Sequence, residues 1–390
     1  MVRAQKGLFK RYSTVFQSKS RVVWFHASSL GEFEQGRSVI ESWKEKRPDD
    51  FILLTFFSPS GYEIKKDYPL ADYVDYLPFD SAMYLHKLIK LINPSAFILI
   101  KYDFWPSLLS VLDNQKVDVY LISGLFRTEQ FFFKRYGKYF LMQLSRMKRI
   151  FVQNEESKHL LEANGISQIE VTGDTRIDRV FSLASRREEI DGIEAFIDGE
   201  KVIIAGSSWE PEENLLGQFF NSYTISENPV KIKLIIAPHS INEERLRHVE
   251  EVFENTTVRL SEWKEKPDFY RDKKVLVIDS IGLLSRLYRY ADIAIIGGGF
   301  GRSIHNILEP ASFGLPILIG PNFSKFQEAK VLIESGGVFT FKNYSEISRI
   351  LSELLINESS FCKAGAASRA FIERGAGATA LITSYLLENP

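Results

Sequence analysis

The chain has 390 residues with a formal charge of −1, so no overall field draws it to nucleic acid. Its length exceeds what one core serves and predicts two domains, and its composition, 45% apolar and 25% charged, is that of an ordinary globular protein. The single cysteine, Cys362, excludes an internal disulfide and a cysteine metal cluster, while no run approaches the ~20 apolar residues of a membrane-spanning helix and no secretory signal with a cleavage site is present.

Residues 1–21 carry Arg3, Lys6, Lys10, Arg11, Lys19 and Arg21 without an acid, and Leu8, Phe9, Tyr12, Val15 and Phe16 recur at helical spacing. That pattern suits a basic amphipathic segment on an anionic membrane surface, or equally a solvated terminus. From Val22 onward short apolar runs alternate with helical patterns: Val22–His26, Phe51–Phe56, Ala96–Ile100, Val117–Ile122, Ile150–Gln153 and Ile169–Thr172. After a charged stretch the rhythm restarts with Lys201–Ala205, Lys233–Ala237, Lys274–Ile278, Ile293–Ile296, Ile317–Ile319 and Val338–Phe341. Alternation of this kind predicts two α/β Rossmann-like domains with parallel sheets, over residues 22–182 and 199–370. Two such sheets facing each other make the GT-B architecture, and the final helical segment, 371–390, is expected to cross back onto the first domain.

Ligands of parallel sheets bind beyond the carboxyl ends of the strands, and the unusual sequences fall there. The first strand runs into His26-Ala27-Ser28-Ser29-Leu30-Gly31-Glu32 at a helix opening. Glu32 is there a candidate general base for glycosyl transfer or a carboxylate favoured by the helix dipole; Glu34 is the weaker candidate. Thr55 to Gly61, with Ser58 and Ser60, reads as a binding loop. Lys101-Tyr102-Asp103-Phe104-Trp105-Pro106 places a cation and a carboxylate at a third strand end, as a site or as a structural ion pair. The stretch Gly124 to Phe140 interleaves aromatics with Arg127, Lys134, Arg135 and Lys138, a composition suited to a phosphorylated amphiphile, to single-stranded nucleic acid, or to a buried aromatic face.

In the second half, Gly206-Ser207-Ser208-Trp209 and Pro238-His239-Ser240 follow two strands and are candidates for nucleotide contact. Asp279 fits a helix N-cap. Gly297 to Gly301 lets a phosphate approach backbone, or makes a plain turn; a helix is expected to follow, with Glu309 about one turn inside it and able to hold ribose hydroxyls. No Asp-x-Asp pair occurs and the six histidines are scattered, so neither metal nor other cofactor is expected.

Taken in order, His26 to Glu32, Thr55 to Gly61, Tyr76-Leu77-Pro78-Phe79-Asp80, Phe104-Trp105-Pro106, Val171-Thr172-Gly173-Asp174, His305-Asn306-Ile307-Leu308-Glu309-Pro310 and Gly320-Pro321 resemble the 3-deoxy-D-manno-octulosonic acid (Kdo) transferases of lipopolysaccharide synthesis. The resemblance implies a GT-B, metal-independent, inverting glycosyltransferase that moves Kdo from CMP-Kdo to a lipid A precursor at the cytoplasmic side of the inner membrane. It would be peripheral there, or carry an N-terminal anchor missing from this sequence. The resemblance makes Glu32 the base. Ser29, Gly31, Ser58, Ser60, Lys101, Asp103 and Arg127 are then acceptor-side candidates. Gly206, Ser207, Ser208, Pro238, His239, Gly298, Gly299, His305, Asn306 and Glu309 are donor-side candidates. The chain departs from the family where Lys101-Tyr102-Asp103 stands for Glu-x-Glu and where Pro238-His239-Ser240 stands for Pro-Arg-His. The rival expectations are another GT-B enzyme, a nucleotide-sugar epimerase or diphosphate-donor transferase, and a two-lobed binding protein without catalysis.

Overall fold

A computed structural model describes residues 7–16, 21–101, 103–134, 137–186, 188–225 and 230–389. Of the residues singled out above, Arg3, Lys6, Lys19, Tyr102 and Arg135 lie outside the described ones.

The chain forms two compact units, Met1–Arg179 with Gly375–Pro390, and Val180–Arg374. The first holds β1 (Val22–Ala27), β2 (Phe51–Phe56), β3 (Tyr73–Tyr76), β4 (Pro94–Ile100), β5 (Asp118–Gly124), β6 (Arg149–Val152) and β7 (Ile169–Val171), in the order β3-β2-β1-β4-β5-β6-β7. The second holds β8 (Lys201–Ser208), β9 (Ile232–Pro238), β10 (Thr257–Arg259), β11 (Val275–Val277), β12 (Ile293–Ile296), β13 (Ile317–Ile319) and β14 (Val338–Thr340), in the order β10-β11-β9-β8-β12-β13-β14. Every pairing between these strands is parallel.

The strands are continuous apolar runs because helices cover both faces of each sheet. In β1 all six residues are buried, and alternate side chains serve opposite faces: Val22 and Trp24 enter one core cluster, Val23, Phe25 and Ala27 another. Strand order reverses between β1 and β4 in the first sheet and between β8 and β12 in the second. At such a reversal the connections leave in opposite directions and a crevice opens beyond the strand ends.

The N-terminal helix Leu8–Val15 spends its apolar face on the protein itself. Leu8, Tyr12 and Phe16 are buried in the core cluster that contains Val22 and Leu85. Arg11 is likewise engaged, gripping Asp75 of β3 at 2.9–3.2 Å with Nε and Nη2. On the described part of the segment Phe9, Lys10 and Thr14 are exposed, while the apolar face is spent on packing. Among the described residues no helix is long and apolar enough to cross a membrane.

The C-terminal helix Ala378–Glu388 packs in the first unit, where Ile382 and Leu386 join Ile40 and Trp43 in one cluster. Asp178 fixes its entry by accepting the N–H groups of Gly377 and Thr379, two of the donors a helix start leaves unpaired. Removing both acceptors in Asp178→Ala is expected to cost about 2 kcal/mol. Urea unfolding checks this, and an unchanged midpoint would show that the helix docks without that carboxylate.

Candidate active site

At the first reversal β1 ends in His26-Ala27 and turns through Ser28 into the helix Leu30–Lys46, with Ser29 as N-cap. The helix lies close against β4 because Gly36 meets Ile100, which a Cβ at that position would strike. Glu32 stands in the first helical turn. Its own N–H donates to Ser29 Oγ at 3.4 Å, and its Oε2 accepts the Ser28 N–H at 2.7 Å. The capping role weighed against catalysis is therefore real, and it holds the carboxylate in one place. The Ser28 carbonyl is braced in turn by the N–H of Ser58 at 2.7 Å. Ser58 is the N-cap of the helix Pro59–Lys65 and its hydroxyl meets that of Ser60, so both serines support the loop beside Glu32.

Across the reversal, β4 is followed by Lys101 with a left-handed backbone, φ 71°, rare for a residue with a side chain. Lys101 and Glu32 act on each other electrostatically, with Asp174, Arg176 and Arg127 also facing Lys101. Burial pushes the Glu32 carboxyl above its ordinary value; the Ser28 N–H, Lys101 and His26 oppose the rise, and Asp103 adds to it. Burial likewise pulls the Lys101 ammonium below its ordinary value. Both groups are thus biased toward their neutral forms, and the shift makes Glu32 a better proton acceptor than an ordinary carboxylate.

Asp103 accepts the Trp105 indole N–H at 2.9 Å and lies 3.7 Å from Nε2 of the fully buried His26. His26 is held from its other side, with Nδ1 2.9 Å from Thr55 Oγ1 and 3.1 Å from the Thr55 carbonyl oxygen. Glu34, by contrast, is the hub of an ion-pair cluster with Arg179, Arg37 and Lys65. Asp174 grips Arg176. Neither Asp174 nor Arg176 was singled out by sequence as a site residue, although an acid and a base two apart beyond a strand end were the signal.

In the second unit the reversal gathers the ends of β8 and β12. Ser207 has φ 49°, so the backbone twists at the end of β8. Ser208, expected at the donor, instead turns inward: its hydroxyl donates to buried Glu213, which Arg245 also binds at 2.6 Å. Pro238 is buried as well, leaving His239 exposed beyond β9. The glycines after β12 have packing reasons of their own. A Cβ at Gly297 would strike the carbonyl of Ser207, one at Gly299 would stand 2.6 Å from Gly320, and Gly298 has φ 88°. The N–H groups of Gly298 and Phe300 face Glu212, a carboxyl 1% exposed, whose pKa burial raises.

The helix expected directly after the glycines begins later, at Leu308, and is short, Leu308–Ser312. Pro310 has no N–H and fits only a first turn, and Asn306 Oδ1 accepts the Leu308 N–H at 3.0 Å. Glu309 therefore sits at the helix opening, where Asn306 Nδ2 donates to its Oε1 at 3.1 Å. The buried Tyr288, which faces Glu309, covers Gly206 so closely that a Cβ there would strike its hydroxyl. Asp279 caps a different helix from the one expected, meeting Ser261 at the start of Leu260–Glu265. Among the described residues no group of three or more histidines, cysteines or acids is placed to hold a metal ion.

Residues 4–179 match the family described as 3-Deoxy-D-manno-octulosonic-acid transferase (kdotransferase). The 3-deoxy-D-manno-octulosonic acid transferase of Aquifex aeolicus is 28% identical over 85% of this chain and 86% of its own length. That of Chlamydia trachomatis serovar D is 26% identical over 91% of this chain and 81% of its own. The chain is a glycosyltransferase related to the Kdo transferases. Solved structures agree on the fold. UDP-GlcNAc 2-epimerase from Neisseria meningitidis superposes with TM-score 0.63 at 16% identity, covering 94% of this chain and 100% of its own. Acinetobacter baumannii MurG superposes with TM-score 0.59 at 9% identity, covering 94% and 99%. The fold is the GT-B class that the alternating pattern implied.

Lys101 holds down the Glu32 pKa, so Lys101→Met is expected to raise it further. A base works only when deprotonated, so activity falls as pH drops through that pKa and the acid limb of the pH–activity profile should move upward in the variant. An unmoved limb would show that the profile does not report Glu32.

Proposed function

We propose that the chain transfers Kdo from CMP-Kdo to a sugar hydroxyl of a lipid A precursor, with inversion and with Glu32 as general base. The observation that carries this reading is the half-buried Glu32 carboxyl, its pKa raised, at the β1–β4 reversal beside Lys101, with Arg127 and Arg176 facing that lysine. In the step proposed, the acceptor hydroxyl oxygen bonds to the anomeric carbon as the bond from that carbon to the CMP phosphate breaks. The hydroxyl proton passes to Glu32, and the electron pair of the broken bond leaves with CMP. Phosphate is a relatively good leaving group, so holding the two partners in line supplies much of the rate.

Lys101, Arg127 and Arg176 suit an acceptor that carries phosphate near its reacting hydroxyl. Its acyl chains find a counterpart in apolar side chains exposed around the helix Pro106–Asn114. Phe57 packs on Trp105 with ring centroids 4.6 Å apart, Tyr139 hydrogen-bonds Ser110 at 3.0 Å, and Phe79 and Phe131 are 50% and 45% exposed. A patch of aromatics near cations also suits peripheral attachment to the cytoplasmic face of the inner membrane. On the donor side His305, Asn306 and Glu309, with His239 and Ser207, are the groups offered to CMP. Asn306 and Glu309 supply a donor and acceptors for ribose hydroxyls.

Glu32→Gln keeps an oxygen for the Ser28 N–H but cannot take a proton. It is expected to fold normally and to lose about 10²–10⁴-fold in kcat with CMP-Kdo and a tetraacylated lipid A precursor, read by mass spectrometry of the product. Full activity in that variant would remove Glu32 from catalysis. In a thermal-shift panel CMP and CTP should stabilise the wild type. Stabilisation by UDP or ADP alone would favour an epimerase or a diphosphate-donor transferase.

A further inference from the structure

Three rings from three strand ends meet in the second unit. Trp209 follows β8, His239 follows β9, and His305 comes from the loop beyond β12. The Trp209 Nε1 hydrogen bonds His305 Nε2 at 3.1 Å. His239 stacks on both, with ring centroids 4.6 Å from Trp209 and 4.4 Å from His305 and interplanar angles of 25° and 21°. Trp209 and His305 are joined edge to edge by that hydrogen bond, and His239 stacks on both rings. Beside His305 stands Gly298, where a Cβ would come within 3.0–3.2 Å of Cδ2 and Nε2 of the imidazole.

An indole nitrogen carries a hydrogen and has no lone pair to offer, so it only donates. The nitrogen that receives it must be bare. His305 Nε2 is thus the unprotonated nitrogen, and the proton of the neutral ring is on Nδ1. Burial and the neighbouring imidazole of His239 both lower the His305 pKa, which acts in the same direction. We propose that Trp209 is a positioning residue of the donor site: its N–H locks His305 as the neutral Nδ1–H tautomer, so that His305 meets the nucleotide as a hydrogen-bond donor and not as a cation. The proposal rests on the donor-side reading above and deepens it, since it states the form in which His305 acts. It also gives Trp209 a specific role within the loop that sequence offered for nucleotide contact.

Nitrogen NMR of protein labelled in its histidines tests the lock directly. His305, assigned by the signal lost in His305→Ala, should show a protonated Nδ1 and a bare, hydrogen-bonded Nε2 near neutral pH. Trp209→Phe keeps a ring to stack on His239 but has no N–H. It should release the preference, giving a mixture of tautomers, and should raise the KM for CMP-Kdo about 5-fold with little change in kcat, the value of one lost hydrogen bond. A protonated Nε2 in the wild type, or an unaltered His305 signal in Trp209→Phe, would overturn the proposal. Adding CMP separates the two claims: a shift of the His305 signals supports the donor-side reading, and a locked tautomer blind to CMP would refute that reading while leaving the lock in place.

Discussion

The reversal of strand order is the constraint on which the functional reading depends. In a parallel sheet the carboxyl ends of all strands point the same way, and only where successive connections part does backbone leave room for a ligand. Both sheets place their unusual residues there: Glu32 and Lys101 beyond β1 and β4, Trp209 and the glycine loop beyond β8 and β12. Left-handed backbone at non-glycine residues occurs at these ends, at Lys101 and Ser207, and also at Ser123 near the end of β5. Each such residue costs on the order of 1–3 kcal/mol and persists only where its surroundings enforce it. At Lys101 the N–H donates to the Ile122 carbonyl at 2.9 Å; at Ser123 the hydroxyl is tied to the Gln35 carbonyl at 3.2 Å.

Electrostatics at the first site are a contest between burial and neighbours. Glu32 accepts a backbone N–H and faces a lysine, yet its pKa rises, so loss of water outweighs both. Lys101 faces two carboxylates and its pKa still falls, because burial and the guanidinium groups of Arg176 and Arg127 act together. Glu34, two residues on from Glu32, is instead engaged in ion pairs with Arg179, Arg37 and Lys65.

Much of the fold was legible because strands buried on both faces are written as unbroken apolar runs. β3 was missed because Asp75 interrupts its pattern; the charge is answered by Arg11, 64 positions away in sequence and invisible to local periodicity. β10 has three residues, too few for a period. Glu32 could be found from its place after an apolar run and at a helix opening. The glycine loop was legible only in part, for a physical reason: a sequence shows that backbone can approach something closely there, but not what. Gly297 and Gly299 admit other backbone, and the N–H groups of Gly298 and Phe300 face Glu212. The three-ring cluster was hidden because its members come from three separate strand ends.

The central claim is that a half-buried carboxyl at the first reversal is tuned to accept a proton. Its most direct measurement is a carbon NMR titration of the Glu32 side-chain carboxyl, assigned with Glu32→Gln. The expected midpoint lies above the ordinary glutamate value of 4.5. A midpoint at or below that value would mean that Glu32 is a plain capping carboxylate, and the proposed base would have to be sought elsewhere.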